Sequence, residues 1–192
     1  MISAMGVTKS LYGAYRLARA DRDGMSYLDT SLDGFWQSFF AAFLVAPIFF
    51  LLLIIRFKVG VVEAPAFRFL AIEGISYIIG WVLFPLIIFY LVQALGREQK
   101  FIGFIVAYNW ASAIQNGIYL PFAILFELGI ISGAGAGFIN FFLLCLVLAY
   151  TWFVAKTALD VSGLIASGLV VLDVGLWIMI NILTESMLLS QV

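Results

Sequence analysis

The stretch Leu169–Met179, LVVLDVGLWIM, decides the fold class. Ten of its eleven residues are apolar or glycine, and the other is Asp173. The nearest charged residues on either side are Asp160 and Glu185, so Asp173 is the one ionisable residue of a 24-residue run. That is long enough to cross a membrane, which takes about 20 apolar residues. The 13 Leu, Ile and Val residues of 161–184 favour insertion by roughly 4 to 8 kcal/mol, against about 3 kcal/mol for a central Asp. The segment is expected to insert despite its acid.

Working outward, four further runs lack charge altogether. With the Asp173 segment they predict spans at about 34–56, 74–96, 101–126, 130–155 and 161–184. The composition agrees: 65% of the 192 residues are hydrophobic, 11% are charged, and mean hydropathy is +1.13. A soluble globule of this size has too little polar surface to cover so much hydrocarbon. The expected fold is all-α: a bundle of five transmembrane helices over 34–192, preceded by a cytoplasmic tail over 1–33. The tail lacks the short apolar core of a signal peptide, so it is taken as part of the mature protein.

Basic residues set the expected orientation. Lys9, Arg16, Arg19, Arg22, Arg97, Lys100 and Lys156 fall on the side of the N-terminus, and Arg56, Lys58 and Arg68 on the other. Seven against three places the N-terminus inside and the C-terminus outside. Arg56 and Lys58 sit at a helix end, from which they can snorkel to headgroups. In the tail, a helix starting from Thr8 as its cap would put Val7, Leu11, Tyr15 and Ala18 on one side and Lys9, Arg16, Arg19 and Asp23 on the other. That pattern suggests an amphipathic helix lying on the leaflet, with a plain solvated tail as the alternative. Ser31–Phe35, SLDGF, supplies a turn and a cap for the first span.

Polar residues inside the spans predict packing, because lipid cannot hydrogen-bond. At ~100° per residue, Tyr108, Asn109, Ser112, Gln115, Asn116 and Tyr119 share one face of the third span. Trp110, Ile114, Ile118 and Leu125 lie opposite, toward lipid. In the fifth span Ser162, Ala166, Asp173, Trp177 and Thr184 align as a packed face. Ser112, Asn116, Asn140 and Asp173 fall at similar depth. With Asn109 and Gln115 they are expected to form one intramembrane polar cluster centred on Asp173. Gly129, Gly133 and Gly137 stand four apart, a spacing that lets another helix approach closely; the same glycines also suit a turn. Pro47, Pro85 and Pro121 interrupt spans and free the carbonyls of Phe43, Trp81 and Gly117, the chemistry of a helix kink.

Two readings of Asp173 lead, with exposure in a water-filled vestibule or a contact to a partner as the remaining alternative. A protonated Asp can donate to Asn140 or Asn116 and clamp helices together, or the acid can serve as a proton or cation site. Enzyme chemistry finds little support. There is no His, hence no His-ligated haem or zinc and no Ser-His or Cys-His pair. A single deep Asp cannot form an aspartyl dyad, and one carboxylate with amides makes a poor metal site. No cofactor, no metal and no catalytic residue are expected. Cys145 is the lone cysteine, which excludes an intrachain disulfide. Net charge is −1, which points to no nucleic-acid partner.

Leu91–Ser112, LVQALGREQKFIGFIVAYNWAS, and Tyr150–Leu172, YTWFVAKTALDVSGLIASGLVVL, together with the five-span layout and short loops, resemble the Yip (Ypt/Rab-interacting protein) family in its bacterial form. The resemblance implies a non-enzymatic membrane protein with a scaffolding, assembly or membrane-organising role, acting through other membrane proteins, self-association or the lipid bilayer. The alternative is a small transporter or channel component using Asp173 as a protonatable site. Compact loops point to a bacterial inner membrane.

Overall fold

A computed structural model describes residues 3–60 and 64–189. Its helices are α1 (Ala4–Ala18), α2 (Leu32–Ser38), α3 (Phe40–Lys58), α4 (Ala66–Ala94), α5 (Phe101–Glu127), α6 (Gly133–Leu159) and α7 (Gly163–Leu189). Short 3-10 turns lie at Arg22–Tyr27 and Glu98–Lys100, and no strand occurs among the described residues. The chain is all-α.

Four helical stretches are long and apolar enough to cross a membrane: Leu32–Lys58, Ala66–Ala94, Gly133–Leu159 and Gly163–Leu189. Helix α5 is equally long at 27 residues but carries Asn109, Gln115 and Asn116, which lower its hydropathy. Those polar groups also explain its place. It packs against α1, α2, α3, α4 and α6, the interior position that hydrogen-bonding side chains require in hydrocarbon. Large apolar side chains cover the outside, including Phe43, Phe67, Phe138 and Leu164. Water would penalise that surface and lipid would not.

The second long helix begins at Ala66, eight residues earlier than the sequence pattern predicts. Pro65 stands at its N-cap, and the added turns keep Glu73 inside the helix because Arg56 lies opposite it, 3.4 Å away. The connection from α3 is therefore short, and 61–63 lie outside the described residues. Helix α6 begins at Gly133 rather than near residue 130 and closes at Asp160, which adopts left-handed φ of 52°, a conformation Asp tolerates better than most residues. Arg97 donates to the Asp160 carbonyl at 3.1 Å, joining two connections at one end of the bundle.

The tail is packed onto the protein. Ser3, not Thr8, caps α1 by accepting from the Gly6 N–H at 3.0 Å. Thr8 lies in the helix and returns its hydroxyl to the Ala4 carbonyl. The buried face is Ser10, Gly13, Ala14 and Leu17, with Val7 and Leu11 beside it; Tyr15 and Ala18 of the expected stripe are exposed. The reason is steric. A Cβ on Gly13 would meet the Gly24 carbonyl oxygen at 2.8 Å, so two glycines let the 3-10 turn cross α1 in contact. Tyr150 of α6 then donates to the Ala14 carbonyl at 2.6 Å. Arg16 pairs with Asp21 and reaches Asp23 at 3.7 Å, and its guanidinium lies over the Tyr27 ring. Burial raises the Asp21 carboxyl's pKa, but hydrogen bonds from Arg16 and the Asp23 amide outweigh it and leave the net value lowered. Ser31 caps α2 by accepting from the Gly34 N–H at 3.1 Å, as its sequence predicts.

Candidate functional site: the polar interior of the bundle

Helices α5 and α7 both start at the end where α1 docks. Tyr108 stands seven residues into α5 and Asp173 ten into α7, so they lie at similar depth. Helix α7 packs on α4 and α6, and so does α5. The two therefore face each other across the gap between α4 and α6. Tyr108 spans that gap, its hydroxyl donating to Asp173 Oδ1 at 2.7 Å. The ring is held by Phe84 at 4.5 Å and Phe104 at 6.1 Å between centroids. A short O–H···O bond from a buttressed phenol fixes the carboxyl without a cation.

The other predicted residues distribute among separate bonds. Ser112 donates to the Tyr108 carbonyl, and Asn116 to the Ser112 carbonyl, both within α5. Gln115 donates to Thr151 of α6 at 3.0 Å. Asn140 is exposed and accepts from Tyr119 at 3.3 Å. Asn109, at 0% exposure, donates to Ser38 at 2.8 Å, joining α5 to the end of α2. Its Oδ1 has no partner. Thus the partner of Asp173 is Tyr108, and neither Asn116 nor Asn140 reaches it. Tyr108 belongs to the polar face legible in the sequence; its length, not its hydropathy, suits it to the gap.

Two assignments of facing also change, one outward and one inward. Trp110 is 3% exposed, covered by the tail and not by lipid. Trp177 is exposed, whereas Ala166 and Thr184 of the same α7 face are buried. Thr184 meets Ser76 of α4 at 2.6 Å in an apolar groove of about 170 Å³. Gly129 and Gly133 serve the turn between α5 and α6, with φ of 69° and 60°. Within this chain no helix approaches closely there, since an added Cβ at Gly129, Gly133 or Gly137 would meet nothing within 4 Å. Helices α3, α4 and α5 run through Pro47, Pro85 and Pro121, and Tyr77 donates to the Ala42 carbonyl one residue before Phe43 at 2.6 Å.

Sequence reasoning missed an ionic tie at the other end. Arg56 of α3 lies 3.4 Å from Glu73 of α4 and 3.5 Å from Glu127 of α5. Neighbouring Arg68 donates to the Met187 carbonyl of α7. The charges of three consecutive helix ends converge there, which an analysis of each span by itself does not register. Among the described residues no group of three acids or cysteines has the spacing to hold a metal ion.

These features define the class: a polytopic α-helical protein with four helices able to cross a membrane. Comparison with protein-family models, curated proteins and solved structures returned no match.

Proposed function

We propose that this chain is a five-span, non-enzymatic membrane protein with a scaffolding, assembly or membrane-organising role, similar in kind to the bacterial Yip-like proteins. In this reading α5 also crosses the membrane, as the third of five spans, the N-terminus is cytoplasmic, the C-terminus is outside, and the membrane is a bacterial inner membrane. Its partners are lipids and other membrane proteins or further copies of itself. The observation that carries the reading is the use made of deep polar side chains. Tyr108 with Asp173, Gln115 with Thr151, and Asn109 with Ser38 each join two helices. Side chains so used support a rigid framework. The fusion of the tail to the bundle through Tyr150 and the glycine crossing supports it too, because a fixed cytoplasmic face is what a partner would read.

A second reading rests on Asp173 itself. An acid inside a membrane helix is a natural proton or cation site, and the phenol of Tyr108 could relay a proton to it. Asp173→Asn separates the two, since Asn keeps an acceptor for Tyr108 but cannot ionise. Under the scaffold reading the variant keeps its stability, and the proteins that copurify with it in mild detergent are unchanged. If reconstituted wild-type vesicles carry a proton flux that Asp173→Asn abolishes with folding intact, the scaffold reading fails.

A further inference from the structure

A second feature lies away from Asp173. Between α1, the link at Tyr27–Thr30 and the first turns of α5 is a cleft of about 560 Å³, within the size range of small-ligand sites. At its floor is Trp110, 3% exposed. Nine residues into α5, it lies about 14 Å from that helix end, with its side chain directed back toward the end. Lys9, Ser10, Thr30 and Gln37 line the same cleft. None of the hydrogen bonds between described residues engages these four side chains, and the charge of Lys9 acts on Asp29 in the same lining. Lys9 and Thr30 are exposed and Gln37 is half-buried, so their polar groups are open to a ligand arriving from solvent. Asp29 adds one carboxylate to the lining. Hydrogen bonds from Ser31, first its hydroxyl and then its amide at 3.0 Å, and after them the charge of Lys9, keep it ionised to lower pH than an ordinary Asp.

The donors of Lys9, Ser10, Thr30 and Gln37 suit an oxygen-rich anion, with Lys9 as its countercharge. A bare anion would be repelled by Asp29. A ligand carrying its own ammonium group satisfies both charges. We propose that the cleft binds a phosphoethanolamine group, a phosphate diester and an ammonium on one short chain, with the phosphate toward Lys9 and Trp110 and the ammonium toward Asp29. The group reaches the cleft either as the headgroup of phosphatidylethanolamine or as a soluble phosphodiester.

The test is native mass spectrometry of the delipidated full chain in detergent, titrated with phosphatidylethanolamine or phosphatidylglycerol. Wild type should retain one phosphatidylethanolamine about tenfold better than phosphatidylglycerol, the worth of one charge-assisted contact. Lys9→Gln should lower that retention about tenfold. Asp29→Asn, which keeps the acceptor for Ser31, should bring the two lipids within about twofold of each other. Both side chains are exposed, so the fold should persist, with circular dichroism as the control. Gln37→Leu is a further variant expected to weaken retention should either charge substitution disturb the tail. Glycerophosphoethanolamine identifies the source: displacement of the lipid at equal concentration means a soluble ligand, and failure to displace it means a membrane lipid held partly by its chains. Equal retention of the two lipids by wild type, or retention indifferent to all three substitutions, overturns the proposal.

Discussion

Removing one oxygen atom tests the account of the bundle interior. Tyr108→Phe keeps the ring against Phe84 and deletes only the hydroxyl that reaches Asp173 at 2.7 Å. Interhelical hydrogen bonds inside membranes contribute about 0.6 kcal/mol on average and about 1.7 at most. This one belongs near the upper figure for two reasons. It joins helices that share few direct contacts, and its loss strands a carboxyl where water is scarce. The expected cost is about 1 to 2 kcal/mol. Asp173→Asn should cost less than about 1 kcal/mol, because an amide oxygen still accepts. Asp173→Leu removes the acceptor, and combined with Tyr108→Phe it closes a double-mutant cycle. The assay is reversible unfolding in mixed detergent micelles, followed by helicity. A coupling energy of about 1 kcal/mol or more is the expected outcome. A value below about 0.3 kcal/mol, the level of residues that do not interact, would refute the idea that Tyr108 and Asp173 hold α5 to α7.

Three further outcomes follow from other contacts. Gly24→Val should loosen the tail by about 1 to 3 kcal/mol, because its Cβ would strike the Gly13 carbonyl in a packed site; hydrogen exchange should rise across α1 and leave α5 unchanged. Arg56→Gln leaves Glu73 and Glu127 facing each other without their cation and should destabilise by about 1 to 3 kcal/mol, since breaking a partly buried pair costs more than the pair is worth. Adding Glu73→Gln should recover part of that loss in the same unfolding assay. The tail should also loosen in acid. Asp21 and Asp29 are ionised to lower pH in the folded chain than ordinary carboxylates, so their stabilisation is complete at neutral pH and disappears as pH falls through and below the usual aspartate range. Proteolysis within α1 should then increase in acid for wild type, and Asp21→Asn should show that increase already at neutral pH.

The long uncharged runs made the helices legible before any coordinates, because a membrane-length apolar segment has few other fates. Helix ends were less legible. Glu73 looked like a boundary because its neutralising partner, Arg56, is 17 residues away in sequence and adjacent only in space. The polar face of α5 was legible from its spacing, but its partners were not. Periodicity assigns a direction on one helix and says nothing about which neighbour stands there, so it matches Asp173 with amides at its own depth, whereas the longer phenol beside them reaches it. The same limit hid the tail's docking. Val7, Leu11, Tyr15 and Ala18 form an apolar stripe only if the opposing surface is lipid. Against protein, the small surface of Ser10, Gly13 and Ala14 packs more closely.

What the sequence determined by itself is therefore the solvent and the elements: apolar composition calls for hydrocarbon, and hydrocarbon calls for helices that satisfy their own backbones. The pairing of the few polar groups is set by folding in three dimensions. A hydrogen bond depends on distances of a few tenths of an ångström between residues far apart in the chain, and no local pattern encodes those distances.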